Sequence, residues 1–261
     1  MNDPINEQNL AADKITYGKW SKKGDQFGDE EPLKLLYEMF VSAQPEIPRE
    51  LDVVEFGSAD GVVGEYFSNS LKKDGYTPTL TIIDAIKEHL EANENPSTNK
   101  IHSNLLTFEL QDEYDLGISR SVLHYFSPES QKVVLRNILN SLKRGGYFLS
   151  QNFVQNESDL ELYLEFNKRI GKSFQLATEE MIMQMMTSAG FENVRKVGDM
   201  PTWHYEGSNL QKRYELSEEA IREMREIILA TPEEKRSGFG LTEDSFTVPV
   251  PYKVFLARKP G

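Results

Sequence analysis

From Glu55 to Gly61 the chain reads Glu-Phe-Gly-Ser-Ala-Asp-Gly, a carboxylate and small residues at alternate positions behind an apolar run. A tight turn of this kind, set between a strand and a helix N-terminus, aims backbone N–H groups at a bound molecule. Glu55, Gly57, Ser58, Ala59 and Gly61 are therefore candidate cofactor contacts. The spacing is not a dinucleotide fingerprint, because the third glycine of G-x-G-x-x-G falls on Val62. Nor is it a phosphate-cradling P-loop, since no Gly-Lys pair follows. Further along, Asp84 offers a carboxylate that can accept from two ribose hydroxyls, or cap the helix expected over residues 85–93. Asn104 with Leu105 and Arg120 are the next polar or small positions, Asn104 being equally suited to a turn. His124 and His204 are the candidate general bases, with Tyr125 and Glu206 behind them, because imidazole exchanges its proton near neutral pH. His124 also follows an apolar run, as a hydrogen-bonded core histidine would. Tyr17, Trp20, Tyr125 and Trp203 are candidates for covering an acceptor, and Trp203 for packing instead.

The elements that must position these residues alternate. Leu51–Phe56 reads as a buried strand, and Val62, Val63, Tyr66, Phe67 and Leu71 then recur at helical spacing. Further strands are expected over Thr79–Ile83, Lys100–Leu106, Tyr114–Ser119, Tyr147–Phe153 and Phe191–Val197, with a last one over Val250–Arg258. Helices are expected over Glu31–Ser42, from Pro128 to a stop at Lys143-Arg-Gly-Gly146, after the cap Thr178, and after the cap Ser217. This alternation predicts an α/β fold, a mostly parallel sheet with helices on both faces. In such a sheet the ligand lies outside the carboxyl ends of the strands, and Glu55–Gly61, Asp84, Asn104 and Arg120 all follow strands. Residues 1–14 read as a loose polar tail. The expected organisation is an N-terminal helical and lid segment over 1–48, a core over 49–199, a helical insertion acting as lid over 200–247, and a final core strand over 248–261. The insertion is longer than a plain connection needs to be.

Composition narrows the partners. A chain of 261 residues with 38% hydrophobic residues can bury a real core. Its formal net charge of −13 repels phosphate backbones, which argues against nucleic acid and for a small-molecule acceptor. The absence of cysteine excludes disulfides, thiol nucleophiles and cysteine–zinc sites, and no metal ligand set is expected. No apolar run approaches the roughly 20 residues of a membrane span, and the polar N-terminus lacks a signal-peptide core. A cytoplasmic protein is the default expectation.

The Glu55–Gly61 turn resembles motif I of the class I S-adenosylmethionine (SAM)-dependent methyltransferases. Thr81-Ile-Ile-Asp84, Tyr114 to Tyr125, Leu142 to Tyr147, and Thr178 to Phe191 extend the resemblance across most of residues 51 to 197. It implies a Rossmann-like, seven-stranded sheet whose last strand inserts antiparallel. It also implies SAM as cofactor, lying across Glu55–Gly61 with its ribose on Asp84 and its adenine near Asn104 and Leu105. Glu55 and Gly57 would face the methionine part, and Arg120 would begin the segment beneath the sulfonium. Two positions depart from the family pattern. Ala59 replaces the middle glycine, which is acceptable with a negative φ, and Asn104 stands where aspartate is common.

Overall fold

The computed structural model describes residues 2–16, 29–236 and 238–261. Helix α1 (Pro4–Thr16) opens the chain, correcting the expectation of a loose tail. Its inward stripe is Asp3, Asn6, Asn9 and Asp13, all buried. A stripe of polar residues gives apolar periodicity nothing to register, so pattern reading passes over such a helix. Asp3 Oδ1 accepts from the Ile5 and Asn6 N–H groups and holds its first turn.

The body follows as α2 (Glu30–Ser42), β1 (Glu50–Phe56), α3 (Val62–Lys73), β2 (Thr77–Asp84), α4 (Lys87–Glu91), β3 (Asn99–His102) and β4 (Tyr114–Arg120). Next come α5 (Pro128–Ser141), β5 (Leu142–Phe153), α6 (Leu160–Arg169), α7 (Glu179–Ala189) and β6 (Glu192–Asp199). The chain ends with β7 (Trp203–Glu206), α8 (Gly207–Tyr214), α9 (Glu218–Ala230), β8 (Gly240–Leu241), β9 (Phe246–Val250) and β10 (Tyr252–Arg258).

Seven strands form one sheet in the order β3-β2-β1-β4-β5-β10-β6. The pairs from β3 through β5 are parallel, while β10 runs antiparallel between β5 and β6. The expected α/β class and the antiparallel last strand are both observed. The chain steps outward from β1 to β3, then returns to lay β4 on the other side of β1. The reversal of strand order therefore lies between β1 and β4, where an open sheet leaves a crevice at its carboxyl edge.

Strand alternation sends successive side chains to opposite faces, so two cores form. Val54, Phe56, Phe148 and Phe255 pack with Val134 and Ile138 of α5 and Ile182 and Met186 of α7. Val53, Leu116, Leu149 and Val254 pack with Leu36 and Phe40 of α2 and Val63 and Phe67 of α3. Fully burying a side chain of this kind contributes about 1.5–3 kcal/mol. Caps place the helices as expected: Thr178 Oγ1 accepts from Met181 N, and Ser217 Oγ accepts from Ala220 N.

Three boundaries differ from the sequence reading. The helix from Pro128 ends at Ser141, and Lys143-Arg-Gly-Gly146 lies in β5 instead of stopping the helix. Gly145, with φ +77°, lets the strand bulge there. The third strand stops at His102, and the last sheet strand starts at Tyr252, because Phe246–Val250 belongs to a second sheet. That sheet, β7-β9-β8, means the 200–247 segment is not purely helical. With α6, α8 and α9 it encloses a third core around Phe166, Leu210, Met224, Ile228 and Phe246. No described helix is long and apolar enough to cross a membrane.

Candidate active site

One cavity runs from the carboxyl ends of β1, β2 and β4 to the third core. Glu55, the penultimate residue of β1, is 2% exposed, and its Oε2 accepts from the Gly64 N–H at 2.7 Å. Burial pushes its pKa up to about 8, against the opposing pull of that N–H and of the Arg120 guanidinium. Gly57, at φ +64°, must be glycine: a Cβ there would lie 2.7 Å from Val122 Cγ2. Ser58 donates its N–H to Ile83 O and lines the cavity. Gly61, at φ +84°, caps α3 from just behind the lining.

Ala59 has φ +49°, so the expected negative φ is corrected. Its N–H donates to Asp84 Oδ2 at 2.8 Å, which pins the turn in the left-handed region that an alanine Cβ disfavours. Ala59→Gly should therefore raise stability by about 0.5–1 kcal/mol in a thermal melt. A lower melting temperature would show that Ala59 is unstrained.

Asp84 ends β2 on the cavity wall, its Oδ1 accepting from Ile86 N at 2.8 Å and facing His89 Nδ1 at 3.2 Å. Its Oδ2, which accepts from the Ala59 N–H alone among the contacts described, retains a lone pair for a hydroxyl donor. Asn104 lines the cavity beside Leu105, but it serves a turn: Oδ1 accepts from Leu106 N at 2.9 Å. Its Nδ2 donates to Asn6 Oδ1 of α1 at 2.8 Å. Arg120 closes β4 against the same crevice. Ser121 follows at φ +59°, and its buried hydroxyl has no protein partner while the residue lines the cavity. Sequence reasoning did not single out Ser121, and no local pattern marks it.

The far half of the cavity is built from distant segments. His124 sits in a single turn, edge-on to Phe174 with ring centroids 4.5 Å apart. Burial, then the Lys172 charge, lowers its pKa to about 3, so the ring is neutral and weakly basic. The buried Lys172 ammonium meets Asp13 Oδ1 at 2.5 Å and Asn9 O at 3.3 Å. Its pKa is lowered, because burial outweighs Asp13. The Tyr125 hydroxyl donates to Asp13, and burial with that carboxylate raises its pKa well above the usual phenol value. Arg213 donates to Tyr205 Oη at 2.6 Å and lies over the Tyr205 and Tyr214 rings.

Two sequence candidates fall away from the cavity. His204 is exposed on the outer face of β7, so its place as a base near the crevice is corrected. Trp203, on the opposite face, packs into the core shared with α2 and α3 instead of covering an acceptor. Period-two alternation explains His204, since it is Tyr205, on the other face, that reaches the cavity; Trp203 shares that face and is kept from the cavity by its packing. Tyr17 and Trp20 lie outside the described residues. Asp13, Lys172 and Arg213 were missed because they sit in segments without apolar periodicity. No group of three or more acids and histidines suited to a metal ion occurs among the described residues.

Comparison with known proteins agrees with this geometry. A family model described as "Methyltransferase domain" matches residues 26–196. The solved YcgJ protein of Bacillus subtilis superposes with a TM-score of 0.74 at 14% identity, covering 89% of this chain and 100% of that one. A 1,6-didemethyltoxoflavin-N1-methyltransferase of Burkholderia thailandensis, solved with bound 1,6-didemethyltoxoflavin and S-adenosylhomocysteine, superposes with a TM-score of 0.56. It is 13% identical, with 100% of this chain and 92% of that chain covered. No curated protein matches the chain.

Proposed function

This chain belongs to the methyltransferase domain family, and from that premise we propose that its cleft moves a methyl group from SAM to a small-molecule oxygen or nitrogen acceptor. The observation that carries this reading is the convergence of the β1, β2 and β4 ends on one cavity whose near half holds three carboxyls, Glu55, Asp60 and Asp84. The residues present fit the donor. Gly57 presents bare backbone to the cavity, and the buried Ser121 hydroxyl, without a protein partner, lines the same cavity.

When bound, SAM supplies a methyl group on a cationic sulfur that departs as a neutral thioether. Asp84 would hold the ribose hydroxyls, and Leu105 would pack against the adenine. Glu55 and Asp60 would answer the positive charge of the methionine part, and Arg120 with Ser121 would border the methyl-bearing end. Burial raises the pKa of Asp60 as well as that of Glu55, so both carboxyls favour a cationic visitor that draws them into the ionised form. The acceptor enters from the side of His124 and Tyr125, where α1 and the 200–247 segment form a lid. The surrounding rings exclude water and leave the protein's work to positioning.

Isothermal titration with S-adenosylhomocysteine tests the donor half. Asp84→Ala is expected to weaken binding about tenfold or more, the equivalent of a lost charged hydrogen-bond acceptor. Unchanged affinity in a folded variant would return Asp84 to a purely structural role.

A further inference from the structure

The cavity has two electrical halves. Near β1 and β2 the described lining residues set three carboxyls against Arg120. Beyond Tyr125 the balance reverses, and Lys172 and Arg213 stand against Asp13 among the described lining residues. The walls there are largely aromatic, with Phe153, Tyr163, Phe166 and Phe174 among them. Among the described lining residues this half also holds no strong base that is not already paired. The His124 ring is too weakly basic to draw a proton from a hydroxyl or an ammonium near neutral pH. Asp13 already accepts from the Lys172 ammonium and the Tyr125 hydroxyl. A protonated amine would meet two cations here, and a neutral hydroxyl would find no strong, unpaired base to take its proton among the described lining residues.

We propose that the acceptor is a small aromatic carboxylic acid, held through its carboxylate by the Lys172 ammonium and the Arg213 guanidinium and methylated on that carboxylate. The inference rests on the methyl-transfer reading of the cleft. One carboxylate oxygen stays on the cations while the other forms the bond to the methyl carbon. The carbon–sulfur bond breaks with its electron pair on sulfur, leaving a neutral ester and a neutral thioether. No proton is released, so the weak basicity of His124 is no handicap.

Titration calorimetry separates this inference from its premise. S-adenosylhomocysteine is titrated first, and failure to bind would overturn the methyl-transfer reading itself. The loaded protein is then titrated with phenylacetate, cinnamate and indole-3-acetate, with their primary amides, and with phenethylamine. At least one acid should bind about tenfold or more tighter than its amide, and the amine should bind more weakly than either. Arg213→Gln should lower acid affinity about tenfold while changing amide affinity less than about twofold. Lys172→Met provides a parallel test if the buried position tolerates it, and Arg213→Gln decides the matter if it does not. If the loaded protein binds an amide or the amine as tightly as the acids, or binds none of the acids, the acceptor assignment is overturned and the donor reading stands. For an acid that turns over, a weakly buffered reaction should hold its pH. Release of one proton per methyl transferred would also overturn the assignment.

Discussion

Glu55→Gln is expected to stabilise the ligand-free protein at alkaline pH and at the same time to weaken the cofactor. Burial raises the Glu55 pKa from an ordinary 4.5 to about 8 in the folded chain. Between those values the folded state keeps a proton that the unfolded state releases. The stabilising contribution is therefore complete below about 4.5 and is lost as pH rises through about 8. Glutamine keeps an acceptor for the Gly64 N–H and has no charge to bury. The two proteins should melt together near pH 5 and separate above it. At pH 9 the variant should lead by a few kcal/mol, roughly 5–10 °C.

Affinity should move the other way. A cationic ligand pairs with the ionised carboxylate, so wild-type binding of S-adenosylhomocysteine through its ammonium should strengthen as pH rises towards 8 and release a proton below it. The variant should bind about tenfold more weakly at pH 8 and lose that pH dependence. Identical melting curves at pH 9 would contradict the buried, neutral Glu55, and identical affinities would remove it from the donor site.

Truncating the chain to begin at Asp29 should leave the sheet folded and disable the site. Helix α1 is fastened by a polar stripe. Asp3 accepts from Ser127 N, Asn6 from Asn104 Nδ2, and Asn9 from Ser173 N, while Asp13 pairs with Lys172. Water can satisfy all of these groups once the helix leaves, so the melting temperature should fall by only a few degrees. The cavity loses the wall that joins its two halves, and binding of S-adenosylhomocysteine and of acceptor acids should drop about 100-fold.

Asp13→Ala should imitate the truncation. It strips the buried Lys172 of its carboxylate, a loss of about 3–5 kcal/mol that the weakly held helix can avoid by undocking. Hydrogen exchange would then show residues 2–16 unprotected while β1 and β4 stay protected. Full affinity and turnover in the truncated protein would disprove the N-terminal lid.

The near half of the cavity was legible because short-range physics writes it locally. An apolar run, a turn that needs left-handed backbone and a helix start together specify Glu55–Gly61, whatever surrounds them. Asp84 and Arg120 follow from strands that end where polar residues begin. Other features have no such local record. Ala59 took its positive φ from the hydrogen bond to Asp84, a partner outside the turn. His204 and Tyr205 lie on one short strand, and only the docking of β7 on β9 decided which of them meets the cavity.

The sequence by itself determined the sheet and the position of its crevice, because neighbouring residues carry that information. The resemblance of its first turn to a family motif pointed to the donor. Tertiary structure alone assembled the far half of the cavity. Its central pair, Asp13 and Lys172, is 159 residues apart in the chain, and no spacing rule reaches across a separation that only folding closes.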